Sequence, residues 1–231
     1  KQIKNNKKVV HNAIHQAGFD YVERVYHTNP KVVGPEEISV HNQEWLTEGA
    51  VDFIRENQDN PFFLFFSTTV PHGPYNGWKH DPLATPEGFL DKAPDVQPPR
   101  ESIPKRLIKA GIDSDRADLL WLDDGIGAIL NTLEKAAILN NTIIFYINDH
   151  GVESGKTTAY QGGMHTIGLA WAPEIFKGGR VENSLCSTID IAPTIFEYGG
   201  GVPELQQFDG KSLIPLLNDE KERIRDSVYG E

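Results

Sequence analysis

Four polar side chains carry the chemistry that this sequence offers: His72, Asp149, His150 and Lys156. Asp149 and His150 stand together at the end of an apolar run, Thr142–Ile147, separated from it only by Asn148. A carboxylate and an imidazole are both metal-ligand types. At the carboxyl end of a strand they occupy the place where open α/β sheets build their sites. Gly151 lets the backbone turn away, and Lys156 follows six residues after His150. A polar strand end with a helix cap would leave the same pattern, so the pair alone does not decide. His72 lies in P-H-G-P, where Pro71 and Pro74 fix φ on either side and hold the turn stiff. An imidazole so placed can cap a strand, bind a carbonyl, ligate a metal or carry a proton.

Three kinds of element have to position these residues. The run Thr142–Ile147 is apolar, β-branched and aromatic without a break, which predicts a strand buried on both faces of a parallel sheet. Phe62–Val70 (F-F-L-F-F-S-T-T-V) predicts a second such strand, leading into His72. Helical spacing predicts helices over Lys4–Ala17, with Gly18 as its cap, over Glu44–Glu56, and from Ser114 to Ala137. A further helix is expected within Ser187–Tyr198, capped by Asp190 with Pro193 in its first turn. Phe19–Tyr26 and Ile167–Ala172 suggest short strands. Gly73–Ile103 is proline-rich and has no period, so it reads as a long loop facing a substrate. The adjacent acids Asp123 and Asp124 point in different directions on a helix, which favours solvation and side-chain hydrogen bonds over paired metal ligation. A right-handed crossover joining the two long strands would bring His72, Asp149, His150 and Lys156 to one edge of the sheet.

Composition narrows the function. With 231 residues, the chain is long enough for one large domain. Its net charge of −11 argues against a nucleic-acid surface and leaves anion binding to a few local cations. One cysteine, Cys186, excludes an internal disulfide framework and reads as a buried structural thiol. No apolar run is long enough to span a membrane, and Gly155-Lys156-Thr157 lacks the spacing of a Walker loop.

Five stretches, in order, resemble the type I sulfatases of the alkaline phosphatase superfamily. They are P-F-F-L-F-F-S-T-T-V-P-H-G-P, W-L-D-D-G-I-G-A-I-L-N-T-L-E, N-N-T-I-I-F-Y-I-N-D-H-G and G-K-T-T-A-Y-Q-G-G-M-H. The fifth is the pair S-T-I-D-I-A-P-T-I and F-D-G-K-S-L-I-P-L-L. The resemblance implies an α/β fold with a mixed, mostly parallel sheet flanked by helices, incomplete at its amino-terminal side. It implies a partial catalytic domain over residues 1–217, with the loop 73–103 facing substrate and a charged tail, 218–231, that leaves the core. It implies a sulfuric ester hydrolase in which Asp149 and His150 ligate a divalent metal, Ca2+ first and Mg2+ second. His72 and Lys156 would contact the sulfate or the leaving-group oxygen.

The family nucleophile is a formylglycine made from Cys or Ser in a Cys/Ser-x-Pro/Ala-x-Arg motif, and no such motif stands in this sequence. His165 occupies a position where the family usually has arginine, and His150 one that is often asparagine. The resemblance therefore implies that the nucleophile lies in a missing amino-terminal part and that this chain alone is inactive. The expected partner is a sulfated small molecule or glycan, with no nucleic acid. The expected setting is periplasmic, secreted or lysosomal. A phosphodiesterase or phosphonate hydrolase of the same superfamily, or a non-catalytic glycan-binding relative, are the alternatives.

Overall fold

The structure, a computed structural model, describes residues 2–26, 28–30, 35–151, 155–203 and 206–229. It forms two compact units, Lys1–Leu139 and Asn140–Glu231, each described here by itself.

The first unit is built on helices α1 (Gln2–Gln16), α2 (Gln43–Asn57), α3 (Ile103–Ala110) and α4 (Ala117–Lys135). Helix α1 ends at Gly18, whose φ of 103° is open to glycine and strained for other residues. Asn42 caps α2 by accepting from Trp45 N at 3.1 Å. The apolar stripe of α2 buries Trp45, Leu46, Ala50, Val51 and Ile54. The sequence pattern predicts no helix between Glu56 and Ser114, yet α3 forms over Ile103–Ala110. Its stop is nevertheless plain: Gly111 has φ 66°, and its N–H closes on the last turn. Trp121 and Leu122 of α4, Ile103 and Leu107 of α3, Ala117 and Val70 form one core.

Residues 73–102 have no long regular element: they hold a two-residue antiparallel hairpin, β1 (Ala84–Thr85) and β2 (Gly88–Phe89), and short 3-10 turns at Gly77–Lys79 and Arg100–Ser102. Phe19–Tyr26 is not a strand. Phe62–Val70 is not one either. It carries no ladder among the described residues, and its side chains alternate instead of burying two faces. Phe63 and Phe65 are 53% and 66% exposed, whereas Phe62 meets the ring of Phe53 edge-on at 5.5 Å. A strand is defined by its neighbour's backbone, and here only one face has found a surface to pack on.

The second unit holds β3 (Ile144–Ile147) and β4 (Gly168–Trp171), then α5 (Gln161–Met164) between them in sequence and α6 (Ile191–Tyr198) and α7 (Ile214–Leu217) after them. The strand expected in Thr142–Ile147 forms, but it pairs antiparallel with β4, from Ile144↔Trp171 to Ile147↔Gly168. It is half-exposed, with Ile147 41% exposed, rather than buried on both faces. Between the two strands the described residues carry the short helix α5, and the antiparallel pairing is the kind that needs no crossover.

Asp190 is the hub of the second unit. It forms a capping box with Ser187, accepts from Lys211 N at 2.8 Å and pairs with Arg225. Arg225, in the charged stretch expected to leave the core, thus pairs with a carboxylate that has no exposure at all. Cys186, expected to be buried, is exposed. Among the described residues no helix is long and apolar enough to cross a membrane.

Candidate active site

Each unit presents a His-Gly corner. In the first, the N–H of His72 donates to Thr69 O at 3.0 Å and closes a turn directly after Val70, which is anchored in the core. The ring Nδ1 of His72 lies 3.0 Å from Gly73 O, and Asn29 Nδ2 reaches Nε2 at 3.5 Å. A carbonyl can only accept, so Nδ1 carries the proton and Nε2 holds the lone pair. The imidazole is exposed. Nε2 is therefore the atom that can take up a proton from, or deliver one to, a bound molecule.

In the second unit Asp149 and His150 are brought together at the end of β3, with His150 Nε2 3.4 Å from Asp149 Oδ2. Nδ1 of His150 is 2.7 Å from Gly151 O, the same arrangement as at His72, and it likewise frees Nε2. The side chain of Asp149 is 86% exposed. Within the protein its carboxylate accepts a hydrogen bond from the N–H of His150 at 3.1 Å. An open carboxylate beside an imidazole whose other nitrogen is fixed by a carbonyl fits part of a cation's shell. Among the described residues no group of three or more His, Cys, Asp and Glu assembles to complete it.

Glycines lock this corner in place. Gly151 N donates to Gly163 O at 2.8 Å. A Cβ on Gly151 would come within 2.4 Å of Gly162 O, and one on Gly163 within 2.3 Å of Gly155 O. Lys156 stands in the turn that begins at Gly155 (φ 130°), stapled by Thr158 N to Gly155 O at 2.9 Å. It is exposed and makes no ion pair with Asp149 among the described residues. His165 is exposed as well. His72 belongs to the other unit, and the expected meeting of the four residues at one sheet edge is not a contact within either unit.

Of the polar residues in the loop 73–103, Tyr75 is 74% exposed beside the His72 turn, and Lys79 lies over the ring of Trp78, 5.1 Å from its centroid. Arg100 serves structure instead. Its guanidinium binds Glu44 through two hydrogen bonds of 2.8 and 2.5 Å and stacks over Trp121 at 4.6 Å. Trp121 Nε1 donates to the same carboxylate at 2.6 Å. Asp123 and Asp124 divide: Asp123 is exposed, while Asp124 is buried in a bidentate pair with Arg106.

The sequence reading overlooked a polar run, His41-Asn42-Gln43-Glu44, all four members of which are buried. Four consecutive polar residues before a helix ordinarily signal a solvated loop. Burial pushes the His41 imidazole below the usual histidine range, opposed by the nearby Asp118 carboxylate.

Comparison with known proteins gives this arrangement its setting. An arylsulfatase of Clostridium perfringens is 26% identical over 221 residues, covering 84% of this chain and 46% of the relative. An ulvan-active sulfatase of Formosa agariphila is 31% identical over 215 residues, covering 86% of this chain and 40% of the relative. The crystal structure of Ps i-CgsB in complex with k-i-k-neocarrahexaose superposes with a TM-score of 0.55 at 22% identity, over 75% of this chain and 37% of that one. The chain thus spans less than half the length of these relatives. The likeness in structure shows the α/β, alkaline-phosphatase-like fold, of which these two units are a part. The sulfatase family model matches residues 3–202, and the chain belongs to the sulfatase family.

Proposed function

We propose that the whole protein hydrolyses sulfate esters of a glycan, and that His72, Asp149, His150 and Lys156 serve that reaction. The observation that carries the reading is the pair of His-Gly corners, each with Nδ1 committed to a carbonyl and Nε2 in only a long contact, with Asn29 at 3.5 Å or with Asp149 at 3.4 Å. A relative named for ulvan, with a structural neighbour solved in complex with k-i-k-neocarrahexaose, supports a sulfated glycan, and the arylsulfatase relative makes an aryl sulfate the second substrate to test.

In this reading the bond broken is between sulfur and the ester oxygen, and that oxygen needs a proton as it departs. His72 supplies it from Nε2 when the ring carries a second proton there, and is left neutral with its remaining proton on Nδ1, held by the carbonyl of Gly73. The ammonium of Lys156 donates hydrogen bonds to the non-bridging sulfate oxygens. Asp149 and His150 Nε2 would hold a divalent cation, which supplies electrostatic stabilisation of charge on those oxygens when bound. The nucleophile comes from outside these 231 residues, because no Cys/Ser-x-Pro/Ala-x-Arg motif stands among them.

The test is sulfate release by the whole protein from sulfated oligosaccharides, from an aryl sulfate and, for comparison, turnover of the matching phosphate esters. Sulfate esters should be preferred, His72→Ala should lower turnover by about 10²–10⁴, and the 231-residue chain alone should be silent. Equal or faster turnover of phosphate esters would refute the assignment of the reaction. Turnover by the isolated chain would refute the assignment of the nucleophile.

A further inference from the structure

The buried polar run 41–44 lies directly against the segment that carries His72. His41 is 1% exposed, and its Nδ1 lies 2.7 Å from Thr69 Oγ1. Thr69 in turn accepts the N–H of His72 through its own carbonyl at 3.0 Å. One residue earlier, Thr68 Oγ1 donates to the fully buried Gln43 Oε1 at 2.6 Å and accepts from Val70 N at 3.1 Å. Two consecutive hydroxyls thus meet two buried side chains that stand two residues apart on the facing segment.

The other side of the turn is pinned as well. Asp118 Oδ2, from α4, accepts from Asn76 N at 2.7 Å, where Asn76 holds a left-handed φ of 64°. The His41 ring is wedged beneath the next turn. A Cβ on Gly77 would come within 3.0 Å of His41 Cβ and 3.0 Å of the Trp121 ring. His41 Nε2 is buried without a well-formed hydrogen bond, and the backbone of His72 and Gly73 lies close enough to favour its charged form. Asn42 extends the run by donating to Pro82 O at 2.8 Å and Ala84 O at 3.0 Å in the loop that follows.

Buried polar side chains persist where each has a specific partner, and a satisfied network fixes one geometry more tightly than apolar packing does. The partners of His41 and Gln43 belong to the chain just before His72, and Asn42 reaches the loop after it. We propose that His41 and Gln43, within this buried run, are the positioning residues of the His72 turn, with the His41–Thr69 hydrogen bond as the contact that sets the His72 imidazole. The inference rests on the reading of His72 as the proton donor to the leaving group.

That reading also supplies the measurement. A proton donor matters most when the leaving group is a poor one, so its loss slows an alkyl (sugar) sulfate more than 4-nitrophenyl sulfate. Thr69→Val keeps the shape and removes the hydroxyl, whereas Thr69→Ser keeps the hydroxyl. In the whole protein, Thr69→Val should lower kcat on the sugar sulfate by roughly 10–100-fold, with a smaller loss on the aryl ester and little change in KM. Thr69→Ser should restore both. The ring 15N resonances of His72 should shift in Thr69→Val and return in Thr69→Ser. A Thr69→Val protein that melts lower but keeps the ratio of the two rates and the His72 resonances would overturn the inference, leaving a structural role alone. If His72→Ala changes the ratio and Thr69→Val does not, the inference falls and the role of His72 stands. If His72→Ala leaves the ratio unchanged, the role of His72 falls and the inference goes with it.

Discussion

His72 and His150 share a local design and differ in what holds it. Each is followed by a glycine whose carbonyl engages Nδ1, at 3.0 Å for His72 and 2.7 Å for His150. The corner of His72 rests on buried side chains: His41, Gln43 and Asp118. The corner of His150 rests on backbone against backbone, with Gly151 and Gly163 too close to a carbonyl oxygen for any side chain and Gly155 held at a φ of 130°. A side-chain clamp can be adjusted by single atoms, such as one hydroxyl. A glycine clamp leaves no room for even a methyl group. The difference follows from the surroundings. The first unit packs Val70 with α3 and α4 into a core directly before the His72 turn, whereas β3, which leads to His150, pairs with β4 in a two-stranded sheet and is half-exposed.

The comparison can be broken most directly at Glu44. Its carboxylate satisfies both Arg100 and Trp121 in the interior of the first unit. Glu44→Ala leaves the Arg100 charge buried and unpaired, and should destabilise the protein by about 3–5 kcal/mol, read by chemical denaturation. Asp149→Ala, at an exposed corner, should leave the melting temperature unchanged while abolishing sulfate release by the whole protein. A stable Glu44→Ala protein would remove the contrast between the units.

Gly151→Ala and Gly163→Ala come next, at about 1–3 kcal/mol each, since the new Cβ would overlap a carbonyl oxygen. Hydrogen exchange should quicken in residues 161–166 and leave α2 and α4 unchanged. Asp124→Asn weakens the bidentate pair with Arg106, whose side chain is 34% exposed, so its cost should be nearer 1 kcal/mol.

The smallest effect is one of pH. His41 titrates below its ordinary value of 6.5 in the folded protein because it is buried. The unfolded chain therefore binds the proton more readily. Stability is whole above pH 6.5 and declines as pH falls from there toward the lower folded value. Asp118 opposes this shift and the neighbouring His72 reinforces it. The melting temperature should fall between pH 7.5 and 5.5, and the fall should shrink in His41→Asn. An unchanged slope in that variant would show that another group carries it.

Much of this was legible beforehand where a residue's role is local. The helix over Glu44–Glu56 was visible from its apolar spacing, and the P-H-G-P and Asp-His-Gly motifs marked the corners. The burial of strands was not legible. Phe62–Val70 and Thr142–Ile147 are as apolar as any core segment, and both are partly exposed among the described residues. Apolar composition says that a surface needs covering, and it does not say what covers it. Arg100, in the irregular stretch that follows His72, is the partner of Glu44, 56 residues away, and nothing in its own neighbourhood of the sequence marks it as such.

Sequence alone determined the family, the two His-Gly corners, the glycines that close the second corner and the helical stripe of α2, because spacing and backbone freedom are properties of a few adjacent residues. Tertiary structure decided that β3 runs antiparallel to β4, that Arg225 returns to Asp190, and that His41–Glu44 is interior. Those depend on partners distant along the chain. A buried polar side chain looks the same as a solvated one until the group that satisfies it is in place.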